Sequence, residues 1–279
     1  MERNDVIRIK CSDEKGLIAK IAGVLFSNQH NILVMKEFVE TDTNTFFMRL
    51  EVSGEINELK LKNELHAELP ERSEIEIIPR HKKNIVILVT KEHHCLSDLL
   101  VRYYFNELHA EIKAIVGNHD VLRLFAEKFN IPFHYISHDG KEKTAFEQEL
   151  MAAVVHYKPD YIVLAKFMRI LSPAFVATFR DRIINIHHSF LPAFKGANPY
   201  KRAFERGVKL IGATAHIVND DLDEGPIITQ KIIPMHHYDD LDDMIKSGHE
   251  IEKSVLADAL KMVLEDRVFV SRNKTIIFS

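Results

Sequence analysis

The chain has 279 residues, 46% of them hydrophobic and 28% charged, which excludes a collagenous, low-complexity or disordered protein and suffices for one large domain or two smaller ones. Lys and Arg number 37 against 41 Asp and Glu, so the net charge of −4 gives no electrostatic reason to expect nucleic acid or an anionic membrane surface as a partner. Split at residue 80, the first part holds 11 basic and 15 acidic residues with two histidines, and the second holds 26 of each sign with the other 14 histidines; the titratable chemistry lies downstream.

Residues 6–11 alternate apolar and polar side chains, and Ser12-Asp13-Glu14-Lys15-Gly16 is a turn that opens an amphipathic helix through Leu17, Ile21, Val24 and Leu25. Residues 31–39 and 45–52 read as two strands joined by the polar turn Thr41-Asp42-Thr43-Asn44. Ile56, Leu59, Leu61, Leu65 and Leu69 give a helical pattern stopped by Pro70, and residues 74–78 close with a strand. The order βαββαβ is ferredoxin-like and places a first domain over 1–80.

Pro79-Arg80-His81-Lys82-Lys83 is a short polar break, with a linker at 81–83 and a second domain over 84–279. That domain opens with a continuous apolar run at 84–90, as expected for a parallel strand buried on both faces. Strands at 111–117, 132–136 and 160–165 alternate with helices at 96–107, 120–128 and 141–157, which makes a Rossmann-like, doubly wound, mostly parallel sheet. Further strands fit 182–186, 210–218 and 226–233, followed by a helix at about 240–264 and a strand pair at 268–271 and 275–278. Cys11 and Cys95 belong to no CxxC motif or disulfide framework and read as buried thiols of a reducing compartment. With neither a signal-peptide segment nor an apolar run of membrane-spanning length, a cytoplasmic protein without a membrane partner is expected.

The densest polar constellation is Asn185-Ile186-His187-His188-Ser189-Phe190-Leu191-Pro192. Strand alternation sends Asn185 and His187 to one face and Ile186 and His188 to the other, presenting an amide beside an imidazole at the strand end where open α/β sheets bind ligands. Taken alone, the pair fits a hydrogen-bonded strand end equally well. Asn219-Asp220-Asp221-Leu222-Asp223-Glu224-Gly225-Pro226 is an acidic loop whose carboxylates mostly read as solvated, but Asp223 stands where a tight turn can aim it back at the sheet. Met168-Arg169-Ile170-Leu171, after the strand at 160–165, fits core plus a helix cap on its own. An amide, a histidine and a carboxylate on one cleft suit acyl transfer without a covalent nucleophile: the first two stabilise an oxyanion and the third takes a proton from water. Ser189 lacks a GxSxG elbow. The pairs His93-His94, His187-His188 and His236-His237 invite a metal, but no HExxH or Cys/His ligand spacing accompanies them and none is expected.

Taken in order, Met168-Arg169-Ile170-Leu171, Asn185 to Pro192 and His216 to Pro226 resemble the signatures of the folate-dependent formyltransferase family, over essentially all of 84–279. The resemblance implies Asn185, His187 and Asp223 as the catalytic trio. It also implies a pterin pocket lined by Met168, Arg169, Ile170, Leu171, Asn219 and Asp220, with His188 and His216 beside the substrate. Cys11-Ser12-Asp13-Glu14-Lys15-Gly16, with Asn31 after the first helix, resembles an ACT regulatory module. That implies an amino-acid effector such as methionine or glycine near Asp13, Gly16 and Asn31, and pairing into a homo-oligomer, dimer or tetramer. An ACT module before a formyltransferase-fold domain is similar, along the whole chain, to the deformylating branch of the family, in which His188 stands where transferases usually carry Pro. The activity so implied is hydrolysis of 10-formyltetrahydrofolate to formate and tetrahydrofolate, which supplies formate for purine synthesis and balances one-carbon pools. The folate is the substrate and no cofactor is implied.

The residues also bear on the acceptor. Thr90-Lys91-Glu92-His93-His94-Cys95-Leu96 holds no glycine where a glycinamide ribonucleotide formyltransferase keeps its phosphate cradle. Too few residues follow position 265 for a tRNA-binding barrel. Water becomes the expected acceptor, with His93 and His94 filling or lining the acceptor side. The alternatives are formyl transfer to glycinamide ribonucleotide or another amine, and a sensor without turnover.

Overall fold

The computed structural model describes residues 4–79, 81–192 and 199–279; Arg80 of the polar break and positions 193–198 lie outside the described residues. Two units emerge, the first running to His81 and including Phe278–Ser279, the second spanning Lys82–Ile277.

In the first unit the period-two pattern becomes β1 (Asp5–Ser12), followed by α1 (Leu17–Ser27), β2 (Asn31–Glu40), β3 (Thr45–Ser53), α2 (Glu58–Glu68) and β4 (Glu74–Ile78). The sheet is antiparallel with order β2-β3-β1-β4. Ile7, Ile9, Met48, Leu50, Ile75 and Ile77 face Leu17, Ile21, Leu25, Leu61 and Leu65 of the two helices, forming the unit's own core. Gly16 starts α1 with φ at +92°, a backbone conformation open to glycine at little cost. Cys11 is buried in this core, and burial pushes its thiol up to about 11.

The second unit contains β5 (Lys83–Val89), α3 (His94–Tyr104), β6 (Ala110–Gly117), α4 (Arg123–Glu127), β7 (Phe133–Tyr135), α5 (Lys143–His156), β8 (Tyr161–Leu164), α6 (Pro173–Thr178) and β9 (Ile183–His187). It continues with α7 (Pro199–Arg206), β10 (Leu210–Ile217), β11 (Ile227–Pro234), α8 (Leu241–Leu264), β12 (Val268–Ser271) and β13 (Lys274–Ile277). The seven-stranded sheet has the order β11-β10-β9-β8-β5-β6-β7. The five strands from β5 to β9 are parallel, and β10 and β11 run antiparallel at one end. The apolar run of β5 has its cause here. Ile85, Ile87 and Val89 pack on the face covered by α3 and α8, while Val86 and Leu88 pack on the face covered by α5 and α6.

Three details depart from the sequence reading. Lys83, assigned to the linker, is the first residue of β5, and its ammonium lies 3.2 Å from the buried Asp266 carboxylate, which ties it into the unit. Phe278 and Ser279 cluster with the first unit rather than closing the second. The short helix α7 has no counterpart in the sequence reading, whereas α6 follows the helix cap read after Leu171: the Ser172 hydroxyl accepts from the Phe175 N–H, with Pro173 at the first turn.

Thr214 in β10 sets the path of the chain after β9. Its hydroxyl donates to the Ser189 carbonyl (2.9 Å) and accepts from the Leu191 N–H (3.0 Å) and from the Gln230 amide (2.9 Å). Thr214→Val keeps the shape and orphans these buried groups, so a loss of about 1–3 kcal/mol in urea unfolding of the second unit is expected, with Thr214→Ser losing less.

Candidate active site

Asn185 and His187 project from β9 on one face, and β10 pairs antiparallel to it with His216 opposite Asn185 and Thr214 opposite His187. The chain leaves β10 near the start of β9, where the Val218 N–H donates to the Ile183 carbonyl (2.9 Å), and then doubles back over the sheet. Two residues make the return possible. Asp223 adopts φ of +58°, and a Cβ on Gly225 would lie 1.8 Å from the Ile217 carbonyl oxygen, so only glycine fits there. The return brings Asp223 Oδ1 to 3.3 Å from His187 Nδ1 and 3.7 Å from His216 Nε2. Bonding with His187 holds the Asp223 carboxyl well below the ordinary carboxylate range.

His216 is buried. Its Nδ1 lies 3.0 Å from the Ile217 carbonyl, a partner that only an N–H can satisfy, so Nε2 is left to accept from the Asn185 amide at 3.1 Å. One hydrogen of that amide is therefore fixed on His216 and the other points away from it. At 3.7 Å, and with its Nε2 accepting from Asn185, His216 makes no hydrogen bond to Asp223.

These groups open on a cleft of about 230 Å³ whose walls include all eleven positions assigned to it from sequence: Met168, Arg169, Ile170, Leu171, Asn185, His187, His188, His216, Asn219, Asp220 and Asp223. The 168–171 segment is anchored at both ends, by the Met168 N–H on the Thr90 hydroxyl (3.0 Å) and the Ser172 N–H on the Glu147 carboxylate (2.8 Å). Met168, Ile170 and Leu222 leave large apolar surfaces exposed at the cleft, as a flat, partly apolar ligand requires. Of the three first-unit positions, Asp13 and Gly16 lie in the turn between β1 and α1, and Asn31 begins β2.

The structure corrects the placement of His188. It lies one residue beyond β9, so strand alternation no longer governs it, and its ring stacks on His187 at 4.6 Å with 23° between planes. Burial first, then Lys166 and His187, push its pKa down to about 4. His93 and His94 also separate, the first exposed and the second buried as the first residue of α3.

Sequence reasoning missed a second polar cluster beside the cleft. Glu252 of α8 is fully buried. Its carboxylate receives His94 Nε2 (2.8 Å), Lys166 Nζ (3.1 Å) and the Tyr200 hydroxyl (2.5 Å). Burial alone would raise the Glu252 carboxyl, but His94, Lys166 and Tyr200 outweigh it and hold the group down to about 2. The signal was present in α8, where Glu252 sits among Gly248, Ile251, Val255 and Leu256 on the buried stripe. His94, Cys95 and Glu252 lie close enough to hold a cation, but the carboxylate oxygens already receive three donors, one of them a cation. The set reads as an ion-pair network.

Residues 83–260 match the formyl transferase family model. The formyltetrahydrofolate deformylase of Haemophilus influenzae is 49% identical over 277 residues, which cover 99% of this chain and all of that protein. The crystal structure of a formyltetrahydrofolate deformylase from Pseudomonas syringae pv. tomato superposes with a TM-score of 0.94 at 36% identity, covering all of this chain and 95% of that one. A glycinamide ribonucleotide transformylase from Symbiobacterium toebii superposes with a TM-score of 0.68 at 25% identity, covering 72% of this chain and 97% of that one. Fold and site thus define a formyl transferase-type enzyme. Within that class, the chain belongs to the formyltetrahydrofolate deformylase family.

The depressed His188 pKa has a consequence for stability. Between about 4 and 6.5 the unfolded chain binds a proton at His188 that the folded chain refuses, so stability is fully present above the upper value and falls as pH drops through that window. His188→Gln is expected to remove up to about 3 kcal/mol of this pH dependence, measured by urea denaturation at several pH values.

Proposed function

We propose that the chain hydrolyses 10-formyltetrahydrofolate to formate and tetrahydrofolate, with Asn185, His187 and Asp223 carrying the chemistry. The observation that carries this reading is the convergence of the three on one cleft, with His187 and Asp223 3.3 Å apart beside the exposed apolar edges of Met168, Ile170 and Leu222. The first-unit fusion along the full length of the deformylases supports it as well.

The pterin would lie between the 168–171 and 219–223 segments, with the formyl group over Asn185 and His187. Asp223, ionised at neutral pH, orients the attacking water and receives its proton as the new C–O bond forms. The free N–H of the Asn185 amide and a ring N–H of His187 stabilise the tetrahedral oxyanion, while His216 holds the amide in place. Collapse breaks the bond from carbon to N10, N10 takes up a proton, and formate leaves. Water, folate and protein groups complete this balance without a further cofactor.

Asp13, Gly16 and Asn31 are where an amino-acid effector would bind, on the resemblance of that turn to an ACT module. A homo-oligomer is part of the same reading. It is supported by β2, an edge strand whose Leu33, Met35 and Phe38 are each nearly half exposed. Among the described residues no helix is long and apolar enough to cross a membrane.

The decisive experiment is formate release from 10-formyltetrahydrofolate with and without glycinamide ribonucleotide. Release without it is expected, and turnover only in its presence would convert the reading to a transferase. Asp223→Asn and His187→Gln are each expected to lower kcat by roughly 10²–10⁴-fold, the common cost of losing an acid–base or oxyanion partner. Near wild-type turnover in Asp223→Asn would refute its role.

A further inference from the structure

The large sheet reverses its winding between β5 and β8: from β5 the chain builds β6 and β7 on one side, then returns to place β8 on the other. The crevice at such a switch point is where open α/β sheets commonly receive ligands. In this protein it is filled from within. Lys166, just beyond β8, adopts φ of +61°, uncommon for a long side chain, and places its ammonium 3.1 Å from the buried Glu252 carboxylate. His94, at the first turn of the helix that follows β5, and Tyr200 of α7 complete the carboxylate's shell. His249 stacks on His94 at 3.9 Å and closes its outer side.

The filling is built rather than incidental. A Cβ on Gly248, in the interior of α8, would lie 2.3 Å from the Tyr200 ring, so the helix forgoes a side chain at that turn to seat the tyrosine. Lys166 alone belongs both to this cluster and to the wall of the catalytic cleft beside Asn185, His187 and His188. It cannot swing aside without leaving a buried carboxylate short of its cation, which keeps the wall in place.

We propose that Lys166, held by Glu252, His94 and Tyr200, is a specificity-determining plug that closes the switch-point crevice to amine acceptors and leaves water as the only nucleophile able to reach the formyl carbon. The inference rests on the hydrolytic reading above. Water, small and mobile, enters from the cleft side along Asp223, whereas an amine carrying any substituent needs the volume that Lys166 and Tyr200 occupy.

Hydroxylamine is a suitable small probe. In a transfer step its nitrogen bonds to the formyl carbon, the bond from that carbon to N10 breaks, and the proton lost by the amine goes to N10, giving N-formylhydroxylamine and tetrahydrofolate. The quantity read is the ratio of N-formylhydroxylamine to formate, after subtraction of the enzyme-free reaction. Lys166→Ala/Glu252→Gln opens the crevice without stranding a charge, and a rise in the ratio of roughly tenfold or more over wild type is expected. Lys166→Met/Glu252→Gln keeps the bulk of the stem and is expected to stay near the wild-type ratio. Lys166→Ala alone, in which His94 and Tyr200 still bond to Glu252, carries the same expectation should the double variant fail to give a cooperative melt. An unchanged ratio in a folded, formate-releasing opened variant overturns the proposal, as does ready transfer to hydroxylamine by the wild type. A wild-type enzyme that releases no formate at all defeats the hydrolytic reading instead, which keeps the two failures distinct.

Discussion

The site depends on one constraint, the antiparallel pairing of β10 with β9 at the end of an otherwise parallel run. That register sets His216 opposite Asn185 and Thr214 opposite His187, so each site residue on β9 has a designated neighbour on β10. A parallel neighbour would exit beside His187 itself, whereas the antiparallel β10 exits at the other end of β9, so the carboxylate has to be carried back along the sheet. With the antiparallel one, the loop leaves beside Ile183 and needs only the left-handed turn at Asp223 and the close approach at Gly225 to return. The depressed Asp223 carboxyl is the result of that path, because the His187 imidazole meets it at the end.

A second constraint comes from placing a carboxylate in the core. Glu252 is fully buried on α8, and removing one partner of such a pair commonly costs about 3–5 kcal/mol. Its compensation draws on three separate elements: the start of α3, the end of β8 and α7. These elements are thereby fixed relative to one another around the crevice, and Lys166 carries the arrangement into the catalytic cleft. The depressed pKa of His188 follows in part from the same ammonium, so its ring is neutral where it stacks on His187. Of the two stacked imidazoles, only His187 meets a carboxylate within 4 Å among the described residues.

Much of the architecture was legible because the patterns that encode it are local. The period-two run of β1, the apolar run of β5 and the Pro70 stop record burial on one face, burial on both faces and a missing backbone donor, and each requires only nearby residues. The motif residues were legible for a different reason: Asn185, His187 and Asp223 stand in segments that resemble the formyltransferase signatures, whereas the Asn185-His187 pair alone fits a hydrogen-bonded strand end equally well. His188 was misplaced because alternation holds only while the strand lasts, and β9 ends at His187. The helix α7 lacked a readable start because its N-terminal flank is a Pro- and Gly-containing stretch that reads as loop.

The sequence by itself determined two α/β units, the order of their strands and longer helices, an amide, an imidazole and a carboxylate that share one cleft, and two buried thiols. Tertiary structure alone decided which histidine serves which partner. His216 holding Asn185, His188 lying flat on His187 and His94 turning inward to Glu252 across 158 residues are all contacts between segments distant in the chain. Hydrophobic and turn patterns carry information over a few residues, whereas pairing a buried charge depends on which elements the folded sheet brings side by side. The neutral balance of the second part, 26 residues of each sign, counted those charges correctly and could not show that one pair of them is buried beside the site.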